Sequence, residues 1–164
     1  MRLLSLPLLL LAAPLAAQQG PPPCAAPEYR QFDFWVGTWD VYNPRGVQVG
    51  TNRIDSILGA CALEEHWDGT SGGKGYSFNI WDRSRNVWHQ TWVAAGGGLL
   101  LLEGGLQNGA MVMEGQTVRP TGPVRNRITW TPISRDSVRQ VWDTWSDSAQ
   151  AWVTGFDGLY VRRH

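Results

Sequence analysis

The sequence predicts an all-β protein, a single antiparallel meander closed into a barrel of about ten strands. Three observations predict it. Glycines and turn dipeptides recur roughly every ten residues, the punctuation of a sandwich or barrel. The runs between them either alternate apolar with polar residues or are short and apolar throughout. Beyond the N-terminal leader no stretch shows a helical period. Short connections favour antiparallel neighbours, and a long meander curls and closes, which removes its exposed edges.

The elements follow in order. A first strand is expected at 34–42, in "FWVGTWDVY", and the turn "NPRG" at 43–46 leads to a second at 47–57. A third is expected at 62–67 and a fourth at 75–82, where "DRSRN" at 82–86 turns the chain into a fifth at 87–94. Gly96-Gly97-Gly98 is followed by neither a helix nor a Lys-Ser/Thr pair, so it reads as a hairpin at a barrel mouth and not as a phosphate loop. The sixth strand, 99–104, turns at "QNG" (107–109) into the seventh, 110–117. The eighth, 124–132, turns at "SRD" (134–136) into the ninth, 137–146. "SDSAQAW" at 146–152 resembles a degraded Asp-box hairpin and joins the last strand, 151–162.

The N-terminus sets the expected compartment. Arg2 precedes an apolar run, broken by Pro7 and Pro14, that is too short to span a bilayer and closes on small residues. Residues 1–17 therefore read as a signal peptide cleaved after Ala17, 18–31 as an N-terminal tail and 32–164 as the barrel domain. Pro23 stands where a lipid-anchored Cys24 would need a small residue, so the expectation is a soluble export product, periplasmic or secreted. Taking 17 residues from 164 leaves 147, enough for one domain and one core. Of the 14 basic residues only Arg2 leaves, so 13 basic stand against 14 acidic, a net charge of −1. No basic field exists to draw nucleic acid or anionic lipid. Cys24 and Cys61 are the two cysteines, and in an oxidising compartment they read as one disulfide tying the tail to "LGACALEE".

Alternation assigns faces. Trp35, Gly37, Trp39 and Val41 share one side of the first strand. Trp88, Gln90 and Trp92 oppose His89, Thr91 and Val93; Ile128 and Trp130 oppose Arg127 and Thr129; Gln140, Trp142 and Thr144 oppose Val141, Asp143 and Trp145. Glu64 and Glu65 are adjacent on a strand, so they point to opposite sides and cannot form a catalytic dyad; which of them faces inward stays open. An inward Glu needs a partner such as Arg127 or Gln140, and a structural ion pair is the favoured reading. Ten tryptophans are far more than 147 residues need to fill a core.

"GTWDV", Gly37 to Val41, near the start of an antiparallel barrel resembles the Gly-x-Trp signature of the calycins: lipocalins, fatty-acid-binding proteins and the ten-stranded nitrobindins. Residues 24–163 also resemble a group of uncharacterised exported bacterial proteins, through "RQFDFWVGTWDV", "GACALEEHW", "WHQTWV", "RITWTP" and "FDGLYVRR". The calycin resemblance implies that Trp39 lies across one end of the barrel with a late-strand arginine, Arg162 or Arg163, packed over it. For nitrobindin-like barrels it also implies haem on a late-strand histidine. The sole C-terminal histidine here is the terminal His164, which departs from that pattern; His66 and His89 carry no mark of a ligand. No His-x-His pair suggests zinc, so no metal site is expected. Ser77 in "GYSFN" lacks the setting of a nucleophile elbow, and no enzyme activity is argued.

The expected function is binding of a small hydrophobic or aromatic molecule inside a Trp-lined barrel. The candidate site is Trp35, Trp88, Gln90, Trp92, Arg127, Trp130, Gln140 and Trp142, with Gly37, Trp39 and Arg162 closing the barrel. No cofactor is assigned, and haem stays a candidate. The alternatives are a filled structural barrel and a Trp platform that stacks on sugars. They separate on the direction of the tryptophans.

Overall fold

The computed structural model describes residues 23–120 and 122–164; the expected leader at 1–17 lies outside the described residues. Ten strands follow one another: β1 Gly37–Tyr42, β2 Gln48–Ile57, β3 Ala62–Gly69, β4 Lys74–Asp82, β5 Val87–Ala94, β6 Leu99–Gln107, β7 Ala110–Arg119, β8 Gly122–Ser134, β9 Ser137–Ser146 and β10 Ala151–Arg162. Each pairs antiparallel with its chain neighbours, and β10 closes on β1 with Arg162 opposite Trp39. The result is a single meander closed into a ten-strand barrel, an architecture consistent with the calycins. Among the described residues no helix is long and apolar enough to cross a membrane.

Local chemistry explains the turns. Asn108 and Gly109 carry φ of 50° and 83°, the paired left-handed conformation of a two-residue hairpin whose twist matches its strands. The β5–β6 turn contains Gly96, Gly97 and Gly98, and lies at the same end of the barrel as the β1–β2, β3–β4, β7–β8 and β9–β10 connections. At the other end lie the chain's N-terminal segment and the β2–β3 turn.

That other end is plugged. The expected start of β1 at residue 34 is corrected: Asp33–Trp35 forms a 3-10 turn, with Trp35 N–H donating to Phe32 O and Val36 N–H to Asp33 O, each at 3.1 Å. This turn drives Phe32 and Trp35 into the barrel, where both are fully buried. Phe32 stacks on Trp35 at 4.9 Å and meets Trp88 and Trp130 edge-on at 5.7 and 5.2 Å. Trp88 Nε1 donates to Gln31 Oε1 at 3.1 Å. The plug is tied down by the Cys24–Cys61 disulfide to the β2–β3 turn and by Arg30, which donates to the Ala60 carbonyl.

Gly37 opens β1 with φ of 144°, a conformation that other residues rarely adopt. A Cβ there would stand 2.1 Å from Arg162 Nη1. The space is filled by that guanidinium, which lies 4.1 Å over the Trp39 ring and donates to Val36 O at 2.9 Å. Trp39 Nε1 in turn donates to Trp35 O at 2.9 Å. Arg163 points away and pairs with Asp40. Gly37, Trp39 and Arg162 therefore form one interlocked unit, the arrangement that the calycin resemblance implies.

Candidate functional site

The plug leaves part of the interior open. Toward the other end lies a cavity of about 530 Å³, walled chiefly by Trp67, Trp92, Trp130, Trp142 and Phe156. Thr117, Thr144 and the exposed Arg119 and Gly155 lie at its outer end, so it opens at the mouth opposite the plug. Its base is polar, built from Glu65, Gln90, Gln140 and Tyr160.

The rings are held by what faces them across the sheet. Trp67 and Trp92 lie diagonally over Gly50 and Gly75, where a Cβ would come within 2.5 Å of Trp67 Cη2 and 2.2 Å of Trp92 Cζ2. Trp67 meets Phe156 edge-on at 5.8 Å, and Trp142 Nε1 donates to Asn126 Oδ1 at 3.0 Å. Gly75→Ala should therefore drive the Trp92 ring into the cavity. The expected outcome is overpacking that lowers stability by about 1–3 kcal/mol in urea unfolding, together with a changed near-ultraviolet circular dichroism spectrum. An unaltered spectrum at wild-type stability would mean that Gly75 does not set the position of the ring.

The polar base is one hydrogen-bonded chain. Gln90 Nε2 donates to Asn79 Oδ1 at 2.7 Å, Asn79 Nδ2 to Ser77 Oγ at 2.9 Å, and Ser77 Oγ to Glu65 Oε2 at 2.6 Å. Asn52 Nδ2 donates to Glu65 Oε1 at 2.7 Å and to Tyr160 Oη at 3.3 Å, and Tyr160 donates to Gln140 Oε1. Glu65 is only 4% exposed. Burial pushes its carboxyl up to about 7, against the opposing pull of the Ser77 and Asn52 hydrogen bonds. Burial likewise lifts the Tyr160 phenol well above its ordinary value, helped by Glu65 beside it.

Gln90, Trp92, Trp130, Gln140 and Trp142 line the cavity. Trp35 and Trp88 do not; Trp35 packs in the plug because the 3-10 turn redirects the chain before β1 begins, and Trp88, at the plugged end of β5, packs on Phe32 there. Arg127 is corrected outright. It stands on the outer face, 3.2 Å from Asp143 and 4.3 Å over the Trp152 ring, one residue out of phase with the inward Ile128. Neither Arg127 nor Gln140 bonds Glu65, and the structural ion pair expected for an inward Glu is replaced by neutral donors. Glu64 faces outward, 3.5 Å from His66.

Trp67, Phe156, Asn52 and Tyr160 were not singled out from the sequence. Trp67 and Asn52 carried a readable signal, since both alternate in phase with neighbours that face inward: Glu65 on β3, Gly50 and Ile54 on β2. Phe156 did not. A bulge between Thr154 and Phe156 shifts the parity of β10, turning Trp152 outward and Phe156 inward although both are even-numbered. Outside, Trp145 and Trp152 cross at 76° beneath Arg125 and Arg127, so their rings do not form a flat platform.

A haem in the cavity would need an axial histidine that faces inward. His66 packs on Tyr76 outside the barrel, His89 bonds Thr91 and stands 3.4 Å from Glu103 on the outer face, and His164 lies beside Asp136. These residues do not fit haem. Asp55, Glu64 and His66 bring one ligand atom each within 4.8 Å of one another on the outer face, where Arg53 already pairs with Asp55. No protein-family model matches the chain, and no curated protein matches it at a significant level.

Proposed function

We propose that this protein is exported and binds a small hydrophobic or aromatic molecule in the tryptophan-walled end of its barrel. The observation that carries the reading is the division of the interior. The plugged end is filled by aromatic side chains in contact, and toward the other end lies a cavity of about 530 Å³ with apolar walls and a polar base. Drug-sized ligands occupy sites of this size and composition. Export is supported by the apolar N-terminal run and by the Cys24–Cys61 disulfide, a bond that persists in oxidising compartments.

Tryptophan fluorescence of the chain from Gln18 onward tests the binding. Titration with fatty acids, haem and aromatic metabolites should give saturable quenching at one equivalent with at least one class. Trp92→Ala and Trp142→Ala should weaken it. Emission that is blue-shifted and unmoved by the whole panel would favour a barrel whose work lies elsewhere.

A further inference from the structure

We propose that the cavity selects an organic cation, an ammonium group carried on an aromatic or apolar body, with Glu65 as its counter-charge. The inference rests on the binding reading above and names the class of ligand. Its first support is the company that Glu65 keeps. Both carboxylate oxygens accept hydrogen bonds, from Asn52 and Ser77, and neither donor carries a charge. Among the described residues no Arg, Lys or His forms a salt bridge with it. A buried carboxylate without a counter-ion is strongly disfavoured, and a glutamine could satisfy Ser77 and Asn52 without that penalty. The protein nevertheless holds an acid here, braced by donors on both oxygens and facing a cavity.

The second support is the wall above it. The face of an indole ring carries negative charge density and attracts a cation held within about 6 Å. Trp67, Trp92, Trp130 and Trp142 surround the space that leads to Glu65. Arg162 lies over Trp39 at the plugged end, and Arg119, the arginine that lines the cavity, stands exposed at its rim, away from the polar base. An anionic ligand would meet the carboxylate at the base with no cation beside it. An ammonium would meet both the carboxylate and the rings.

Titration adds a signature. Glu65 is held up to about 7, so below neutrality the free cavity presents a neutral acid. Binding a cation should expel that proton. Of the groups packed against Glu65, only Tyr160 also titrates, far to the alkaline side; Asn52 and Ser77 do not titrate, and the other charged side chain of the cavity lining is Arg119 at the rim. Proton release near pH 6 would therefore come from Glu65.

Isothermal titration calorimetry with naphthylethylamine, naphthylethanol and naphthylacetate tests the assignment, because the three share one aromatic body. At alkaline pH the amine should bind on the order of tenfold tighter than the alcohol, a difference of about 1.4 kcal/mol. Glu65→Gln should erase that preference, so that the variant binds amine and alcohol alike. At about pH 6, repeating the amine titration in buffers of different ionisation enthalpy should reveal a proton released by the wild type and none by the variant. Equal affinity for amine and alcohol in the wild type, or tightest binding of the acetate, would overturn the cation assignment while leaving the binding cavity in place. Failure of all three to bind would also overturn the cation assignment, while the fluorescence panel decides separately whether the cavity binds a ligand.

Discussion

Raising the pH from 4.5 through about 7 is expected to cost the folded barrel about 3 kcal/mol of stability, and Glu65→Gln to abolish that loss. The sign follows from where the proton sits. Between the ordinary carboxyl value of 4.5 and about 7 the folded protein keeps the Glu65 proton while the unfolded chain has released it. Folding then binds a proton, so stability falls as protons become scarce, and it levels once the folded state also ionises. Asp33, raised by partial burial, acts in the same direction. The carboxyls of Asp40, Asp82, Asp157 and Glu103 are held low by hydrogen-bonded partners, and their contributions are lost only as the pH falls through their folded values.

Comparing wild type with the variant isolates Glu65. A glutamine keeps an oxygen for the Ser77 hydroxyl, and its amide can donate to Asn52 Oδ1 once the Asn52 amide turns over, at the expense of the 3.3 Å hydrogen bond from Asn52 to Tyr160. The variant should match wild type near pH 4.5 and exceed it by about 3 kcal/mol in mildly alkaline buffer. Urea unfolding at the two pH values measures both arms. A variant no more stable than wild type in alkali would show that the carboxyl does not carry the burial penalty assigned to it.

Replacing both cysteines, Cys24→Ser with Cys61→Ser, is expected to lower stability by about 4 kcal/mol. The bond spans 37 residues, and closing a loop of that length removes chain entropy from the unfolded state on this scale. The folded state also leans on it. The β2–β3 turn that it anchors carries positive φ at Leu58, Gly59 and Ala60, and two of these are side-chain-bearing residues in a conformation they disfavour. The tail that it holds carries Phe32 and Trp35 into the plug. Urea midpoints of the double variant against wild type test this. A loss below about 1 kcal/mol would mean that aromatic packing alone seats the plug.

Much of the barrel was legible along the chain. Turn residues mark the connections, and alternation puts Gln90, Trp92, Trp130, Gln140 and Trp142 on inward faces because a pleated strand has a period of two. Legibility failed where that period was broken. Trp35 has the parity of Trp39 but sits in a 3-10 turn, and Phe156 has the parity of Trp152 but follows a bulge. β4 failed differently. Tyr76, Phe78 and Ile80 form the apolar row of that strand, yet they face solvent, with Tyr76 49% and Phe78 55% exposed, while Ser77 and Asn79 are buried. Hydrophobicity alone would have turned this strand over; its hydrogen-bonded neighbours did not allow it. Ser77 lies opposite Glu65 on one side and Trp92 on the other, and those side chains already face inward.

By itself, then, the sequence determined the fold class and the strand count, because these depend on residue type and near-neighbour spacing, and the disulfide partners, because it holds two cysteines. Only the tertiary structure decided which end of the interior is filled, that Glu65 rather than Glu64 faces inward, and that its partners are neutral. Those outcomes depend on register between strands far apart in the chain: Asn52 meets Tyr160 across 108 residues. No local periodicity encodes such a meeting. Closure of the barrel does, by fixing which strand ends face one another across the interior.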